Sequence, residues 1–338
     1  MPATLSSVAA AAGVSTSTAS RALSGHPSVL PATRERVEAA AAALSYEPNR
    51  TASALRTRRT GLLGLVVDNV RTATFHTIAE TLQSWAAQHD YQVLVCTTGG
   101  DAGREAAFLH TVRAHHFDGV VVAGSGANAE LLDDLLERGR AVVTMNREVP
   151  GSRAPSVSPA YEDAARLATD HLLGLGHTRI AAVEGLPEVT SGRLHDAGFR
   201  EAMGARGVGC GEDLVHRGPF TYDFGRAAAA ALLTLPEPPT ALVISNHEAS
   251  FGVLPVLSER GLRIPAQLSV LLTEDEPFFG WWHPALSVVD NRAEFMAQTA
   301  IDLLLPQLPE SDGRRPPADV AERVTPVLVH RASTAAPA

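Results

Sequence analysis

Apolar positions near the N-terminus recur at helical spacing in three short runs. Leu5, Val8, Ala9 and Ala12 share one face behind Thr4, which is placed to cap a first helix reaching about Ala12. Gly13 stops that helix, since glycine tolerates the left-handed backbone of a sharp turn, and Val14 plugs the space before the next one. Ser15 caps a second helix to about Leu23, with Ala19, Ala22 and Leu23 inward and Thr16, Ser17, Ser20 and Arg21 outward. A third helix opens on Pro31, a favoured first-turn residue, and brings Val37, Ala40, Ala41 and Leu44 to the same mini-core before Tyr46-Glu47-Pro48-Asn49 ends it. The run Val8-Ala9-x-x-Ala12-Gly13-Val14-Ser15 is the pattern of a helix-turn-helix. Short hydrogen-bonding side chains plus one guanidinium on the outer face of its second helix suit base edges and phosphates in a major groove, although a Ser/Thr-rich helix taken alone is equally a solvated surface.

From Gly61 the period changes. Apolar strand runs alternate with amphipathic helices, which predicts parallel βαβ units. The strand candidates are Leu62 to Val67, Val93 to Cys96, Gly119 to Val122, Val142 to Met145, Ile180 to Val183, Ala241 to Ser245, Leu268 to Leu272 and Ser287 to Val289. They divide into two similar α/β halves, with the chain crossing near Ser158 and again near Asp290, and a helix from Arg292 to Leu305 returning to the first half. A loop from Pro306 to Pro317, a final strand around Val324 to Val329 and a disordered tail from Arg331 to Ala338 complete the expectation. Two lobes whose strand carboxyl ends face one another hold a ligand in the cleft between them.

Composition adjusts this picture in two places. At 45% hydrophobic and 19% charged residues the chain is an ordinary globular protein, long enough for a small reader and a larger ligand-binding body. The net charge of -9 looks wrong for a nucleic-acid binder until it is divided. Residues 1–60 carry seven arginines and three glutamates, a charge of +4, which leaves -13 on the remainder. A basic head on an acidic body offers one end to phosphates and repels them elsewhere. No apolar run reaches membrane-spanning length, and no basic-then-apolar leader opens the sequence, so a cytoplasmic location and no membrane partner are expected. Cys96 and Cys210 lie far apart without a paired spacing and read as buried structural thiols.

The run from Val8 to Leu23, Pro31-Ala32-Thr33-Arg34-Glu35-Arg36-Val37, Tyr46-x-Pro48-Asn49 and Ala52-x-x-Leu55-Arg56 closely resemble the LacI/GalR family along its DNA-binding segment. Further marks lie in the body: Leu172-x-x-Leu175-Gly176-His177-x-x-Ile180, Arg193 before Gly198-Phe199, Ser245-Asn246, and Gly261-Leu262-x-Ile264-Pro265-x-x-Leu268-Ser269-Val270. The resemblance implies a fold class of an N-terminal all-α helix-turn-helix domain plus an α/β, two-lobed periplasmic-binding-protein-like domain. Its domains are a reader at 1–48, a hinge helix and linker at 49–60, and an effector domain at 61–330, with lobe 1 at about 61–158 and 291–318 and lobe 2 at about 159–290 and 319–330. It implies a transcriptional regulator, a repressor in the family's usual mode, whose homodimer binds a palindromic double-stranded operator under control of a sugar or related metabolite.

Carried over residue by residue, Thr16, Ser17 and Arg21 read or flank bases, while Ser15, Ser20, Tyr46 and Asn49 mainly hold phosphates, and Thr4 is counted among the DNA-binding residues. Ala52 and Leu55 enter the minor groove, where a leucine wedge trades unstacking for a bent site. The implied effector residues are Asn69, Arg71, Phe75, Asn146, Arg193, Phe220, Asn246 and Glu274, aromatics stacking on ring faces and polar groups reading hydroxyls. Asn69 and Asn146 stand where the family usually has Asp, Glu274 lengthens another Asp, His247 replaces an acid, and Leu30 replaces a Ser or Thr cap.

Other chemistry is poorly supported. The sequence contains no dinucleotide or phosphate-binding glycine motif, no HExxH and no GxSxG, so no catalytic residues and no cofactor are expected. His110, His115 and His116 cluster without further ligand-type residues at convincing spacing, so no metal is expected either. In Glu274-Asp275-Glu276, only Glu274 is expected at the cleft, its neighbours facing solvent. A free-standing transport receptor would have no use for residues 1 to 56, and a sugar- or nucleoside-cleaving enzyme on the same fold would show turnover.

Overall fold

A computed structural model describes residues 3–23, 25–46, 59–309 and 320–338. The chain forms two compact units, Met1–Thr60 and Gly61–Ala338. In the first, α1 (Leu5–Ala12), α2 (Thr16–Leu23) and α3 (Pro31–Ala43) enclose Val8, Ala19, Ala22, Val37 and Ala41. Thr4 caps α1 by accepting from the Ser7 N–H, and Ser7 returns the bond to the Thr4 N–H. Gly13 takes φ +64°, the left-handed conformation its place at the turn requires. Leu30 precedes α3 and supplies no side-chain cap. The hinge helix, and with it Asn49, Ala52 and Leu55, lies outside the described residues, as do 310–319 of the expected loop.

The larger unit contains two six-stranded sheets. The first has the order β11-β5-β4-β3-β1-β2, with β1 (Leu62–Val67), β2 (Gln92–Thr97), β3 (Gly119–Ala123), β4 (Ala141–Met145), β5 (Ser156–Pro159) and β11 (Ala321–Val324) all parallel. The second has the order β12-β10-β9-β8-β6-β7, from β6 (Ile180–Glu184), β7 (Val215–Arg217), β8 (Ala241–Ile244), β9 (Ser269–Leu272), β10 (Ser287–Asp290) and an antiparallel β12 (Val327–Val329). Central strands such as Gly119–Ala123 are buried along their whole length, because helices cover both faces of a parallel sheet.

On the first sheet pack α4 (Ala73–Gln88), α5 (Ala102–Ala114), α6 (Ala129–Glu137) and α12 (Ala293–Leu304). On the second pack α7 (Tyr161–Gly174), α8 (Thr190–Ala205), α9 (Tyr222–Leu232) and α10 (His247–Glu259), with the short α11 (Pro277–Trp281) at its edge. Met296, Ala300, Ile301 and Leu304 of α12 share a core with Leu63, Leu65 and Ile78, so this helix does return to the first lobe.

Three expectations are corrected. The expected last strand is two: β11 pairs with β5 in the first lobe, and only β12 joins the second, so the chain crosses at Thr325-Pro326 and the first lobe keeps 321–324. Proline lacks the N–H a continuing ladder needs. Strands β5 and β7, of four and three residues, were not anticipated. The tail is ordered: Val270 N–H donates to the Ser333 carbonyl at 2.9 Å, Ser287 N–H to Ser333 Oγ at 2.7 Å, and Arg331 makes a two-pronged ion pair with Asp275 at 3.0 and 2.6 Å. Ser333 is fully buried, which explains a small polar residue there that satisfies backbone groups.

Candidate functional site

The carboxyl ends of strands from both sheets converge on a cavity of about 420 Å³, within the range of small-molecule sites. The first lobe contributes the turn after β1 (Asp68, Asn69, Arg71), the N-terminus of α4 (Phe75) and the turn after β4 (Asn146, Arg147). Thr72 caps α4 by accepting from the Phe75 N–H at 3.3 Å, which turns that ring to the cavity edge and into the lobe core. Asn146 takes φ +69°, a conformation that asparagine tolerates better than most residues, and so redirects the chain to place Arg147 at the wall. The second lobe contributes His195, Phe220, Asn246, His247 and Glu274. Gly192 lets the start of α8 lie directly against the Gly185-Leu186 backbone, where a Cβ would collide.

Seven of the eight residues assigned to the effector line this cavity, and Arg193 does not. Arg193 sits outside it with a 56% exposed side chain, 3.5 Å from Glu148. Its place in the wall is taken by His195, since residues two apart on a helix face nearly opposite ways. Asn246 is occupied locally as well: its Oδ1 caps α10, accepting from the Glu248 and Ala249 N–H groups, and its Nδ2 reaches Glu274 Oε2 at 3.5 Å.

Sequence reasoning passed over Asp68, Arg147, Tyr161 and His195 as cleft residues. Asp68 directly ends the apolar run of β1, and His195 stands one turn before Gly198; both were usable signals. Arg147 pairs with Asp68 at 2.8 Å and donates to the Gly124 carbonyl at 3.0 Å. The Tyr161 hydroxyl donates to Asn146, 2.6 Å from Oδ1 and 2.8 Å from the carbonyl. Burial pushes the Asp68 carboxyl up against the pull of Arg147, and pushes the Tyr161 phenol up strongly.

Glu274 Oε2 accepts from the His247 N–H and makes a very short contact with His247 Nδ1. Burial opposes charge on both, but their mutual attraction prevails, holding the carboxyl below its usual range and the imidazole above its own. His195, hydrogen-bonded to Thr273 Oγ1 at 3.1 Å, goes the other way: burial drops it to about 4 despite the Glu274 charge. Glu184, at the end of β6, is fully buried, and burial lifts it to about 8 against the pull of the Ser245 hydroxyl, Asp196 adding to the push and Arg217 opposing it.

The three acids in a row are another correction. Asp275 holds Arg331 of the tail, and Glu276 accepts from the Ala73 N–H of the other lobe at 2.8 Å, so neither simply faces solvent.

In the reader, Thr16, Ser17 and Arg21 are exposed on one side of α2, opposite buried Ala19 and Ala22. Thr4 and Ser15 spend hydroxyl groups on caps, Ser15 Oγ accepting from the Thr18 N–H at 3.1 Å. Ser20 is half-buried and Tyr46 packs against the reader's core.

Comparison with known proteins matches both the reader and the larger unit. The family description "Bacterial regulatory proteins, lacI family" matches residues 4–49, and "Periplasmic binding protein-like domain" matches 169–334. An uncharacterized HTH-type transcriptional regulator in the aml 5' region of Streptomyces limosus is 34% identical, covering 98% of this chain and 94% of its own. The chain belongs to the LacI family.

Among other LacI-family proteins, the HTH-type transcriptional repressor PurR of Vibrio atlanticus (strain LGP32) is 27% identical over 92% of this chain and 93% of its own. The lac repressor dimer bound to operator and the anti-inducer ONPF superposes with TM-score 0.85 at 26% identity, covering 99% of this chain and 100% of its own. The complex of the transcriptional regulator CelR with cellobiose does so with TM-score 0.72 at 29% identity, covering 98% and 99%. This LacI-family chain is therefore a DNA-binding transcriptional regulator with a ligand-binding domain, and its relatives are regulators rather than enzymes. No helix among the described residues is long and apolar enough to cross a membrane, and no group of three or more His, Cys, Asp or Glu among them could hold a metal ion.

Proposed function

We propose that this LacI-family regulator is a repressor that acts on cytoplasmic DNA as a homodimer, gripping a palindromic operator through Thr16, Ser17 and Arg21 and releasing or tightening it as a sugar or related metabolite fills the cleft. The observation that carries this reading is the cavity walled from both lobes, so that occupancy bears on how the lobes close. The CelR–cellobiose complex supports a sugar, and the lac repressor dimer on operator supports the assembly. The assigned roles of Ala52 and Leu55 at the minor groove, of Ser15, Ser20, Tyr46 and Asn49 along the phosphates, and of Thr4 at the DNA belong to the same proposal.

The dimer draws support from an exposed aromatic patch on the second lobe. Tyr222, Phe251, Phe278 and Trp281, the last 82% exposed, crown α9, α10 and α11, with Phe251 and Phe278 in edge contact at 6.0 Å. Monomers seldom leave such a patch in water, and a second copy of the chain is the partner that every expressing cell supplies.

Selection of duplexes from a random library by the full-length protein, followed by salt-dependent titration, tests the function. A palindromic winner whose affinity falls steeply with salt is expected. No preference over random duplex, with or without sugars, would end it.

A further inference from the structure

The charges in the cleft wall cancel in pairs. Among the described residues that line it, Arg147 lies 2.8 Å from Asp68, Arg71 lies 3.1 Å from Glu248, and His247 contacts Glu274. The remaining cationic candidate, His195, is buried and neutral near pH 7. No positive charge in the wall lacks its carboxylate, and a neutral His247 would leave a net negative wall. An entering phosphate or carboxylate would lose water without gaining a free cation, or would break a pair and strand an acid beside it.

The unspent groups have a different character. Glu274 uses Oε2 on Asn246 and His247 and retains Oε1 as an acceptor. Asn69 and Asn146 use their side-chain oxygens on the Arg71 N–H and the Tyr161 hydroxyl, and retain their amide NH2 groups as donors. A wall that offers both an acceptor and donors matches groups that donate and accept hydrogen bonds at one atom, which hydroxyls do and fully ionised phosphates do not.

We infer that the effector is an uncharged, polyhydroxylated molecule, and that the ion pairs of the wall reject phosphorylated or carboxylated versions of it. The inference rests on the reading of this cleft as the effector site. Asp68 then determines specificity by neutralising Arg147.

Calorimetry on the full-length protein tests it, with glucose, maltose and cellobiose as uncharged probes, glucose 6-phosphate and gluconate as anions, and adenine as a flat base. At least one uncharged sugar is expected to bind, and the anions at least about tenfold more weakly. Asp68→Asn frees Arg147 and should strengthen glucose 6-phosphate binding by about tenfold, while Glu248→Gln, at the exposed mouth, gives a milder gain without touching the core. Tighter binding of an anion or of adenine than of any sugar overturns the inference, as does failure of all three sugars to bind or failure of both variants to gain. The two readings fail separately. If glucose 6-phosphate alone displaces operator, the cleft keeps its regulatory role and only the ligand class falls. If a sugar binds but never alters operator affinity, the regulatory reading falls and the class stands.

Discussion

The two walls of the cleft occupy equivalent ends of two similar sheets, yet they are charged in different ways. The first lobe uses Asp68 and Arg147, whose guanidinium keeps its charge across the working pH range. The second uses His247, His195 and Glu274 with Glu184 behind them, all buried or nearly so and all shifted from their ordinary values. Proton-linked behaviour near neutral pH should therefore concentrate in the second lobe, where Glu184 is lifted to about 8 and His247 is raised from its ordinary value.

The largest effect that could break this contrast is at Glu184. Its folded pKa, about 8, exceeds its ordinary 4.5, so the folded state holds the proton through that window. The associated stability is complete below 4.5, declines as pH rises and levels off above 8. Glu184→Gln should match wild type near pH 5 in urea unfolding and exceed it by about 3 kcal/mol at pH 8. A constant difference across pH would assign Glu184 no such role. Next, His247→Ala leaves Glu274 without its imidazole and should lower stability by about 2 kcal/mol, less than for a wholly dry pair because the cavity admits water. The carboxyl is depressed from 4.5 and the imidazole raised from 6.5, so the pair contributes most between those values. Its contribution falls as acid protonates Glu274 and again as base neutralises His247, and a melting profile of wild type against variant would trace both limbs.

Asp68→Asn on the opposite wall should cost about 1 kcal/mol, with a weaker pH trend than at Glu184, because Arg147 opposes the push of burial on the Asp68 carboxyl. A strong pH trend there would erase the distinction between walls. The smallest effect is expected at Arg193→Ala, within about 0.5 kcal/mol for stability and with little change in sugar binding, whereas His195→Ala should weaken binding clearly. The reverse ranking in calorimetry would restore Arg193 to the wall.

The reader was legible nearly residue by residue, from the Thr4 cap to the αL turn at Gly13 and the inward Ala19 and Ala22, since each of those contacts closes within a few positions of chain. The strand runs were legible too, because strands covered on both faces are apolar throughout. Strand β7, three residues long and half-buried at an edge, carries too little pattern to read. Arg193 was not separable from His195 for another reason: motif position identified the helix, but which side of it lines the cavity depends on how α8 packs, and the residue that lines it is His195. Glu274, Asp275 and Glu276 look alike as neighbours, yet one serves the cleft, one the tail and one the other lobe.

The sequence by itself determined the local elements, the two-part plan and the set of polar residues available at the strand ends, because backbone propensity and periodicity act over short spans of chain. Tertiary structure alone decided which charge answers which. Asp68 meets Arg147 and Glu274 meets His247 only after distant strands are brought side by side, and the strength of each pairing depends on how much water the finished cleft excludes.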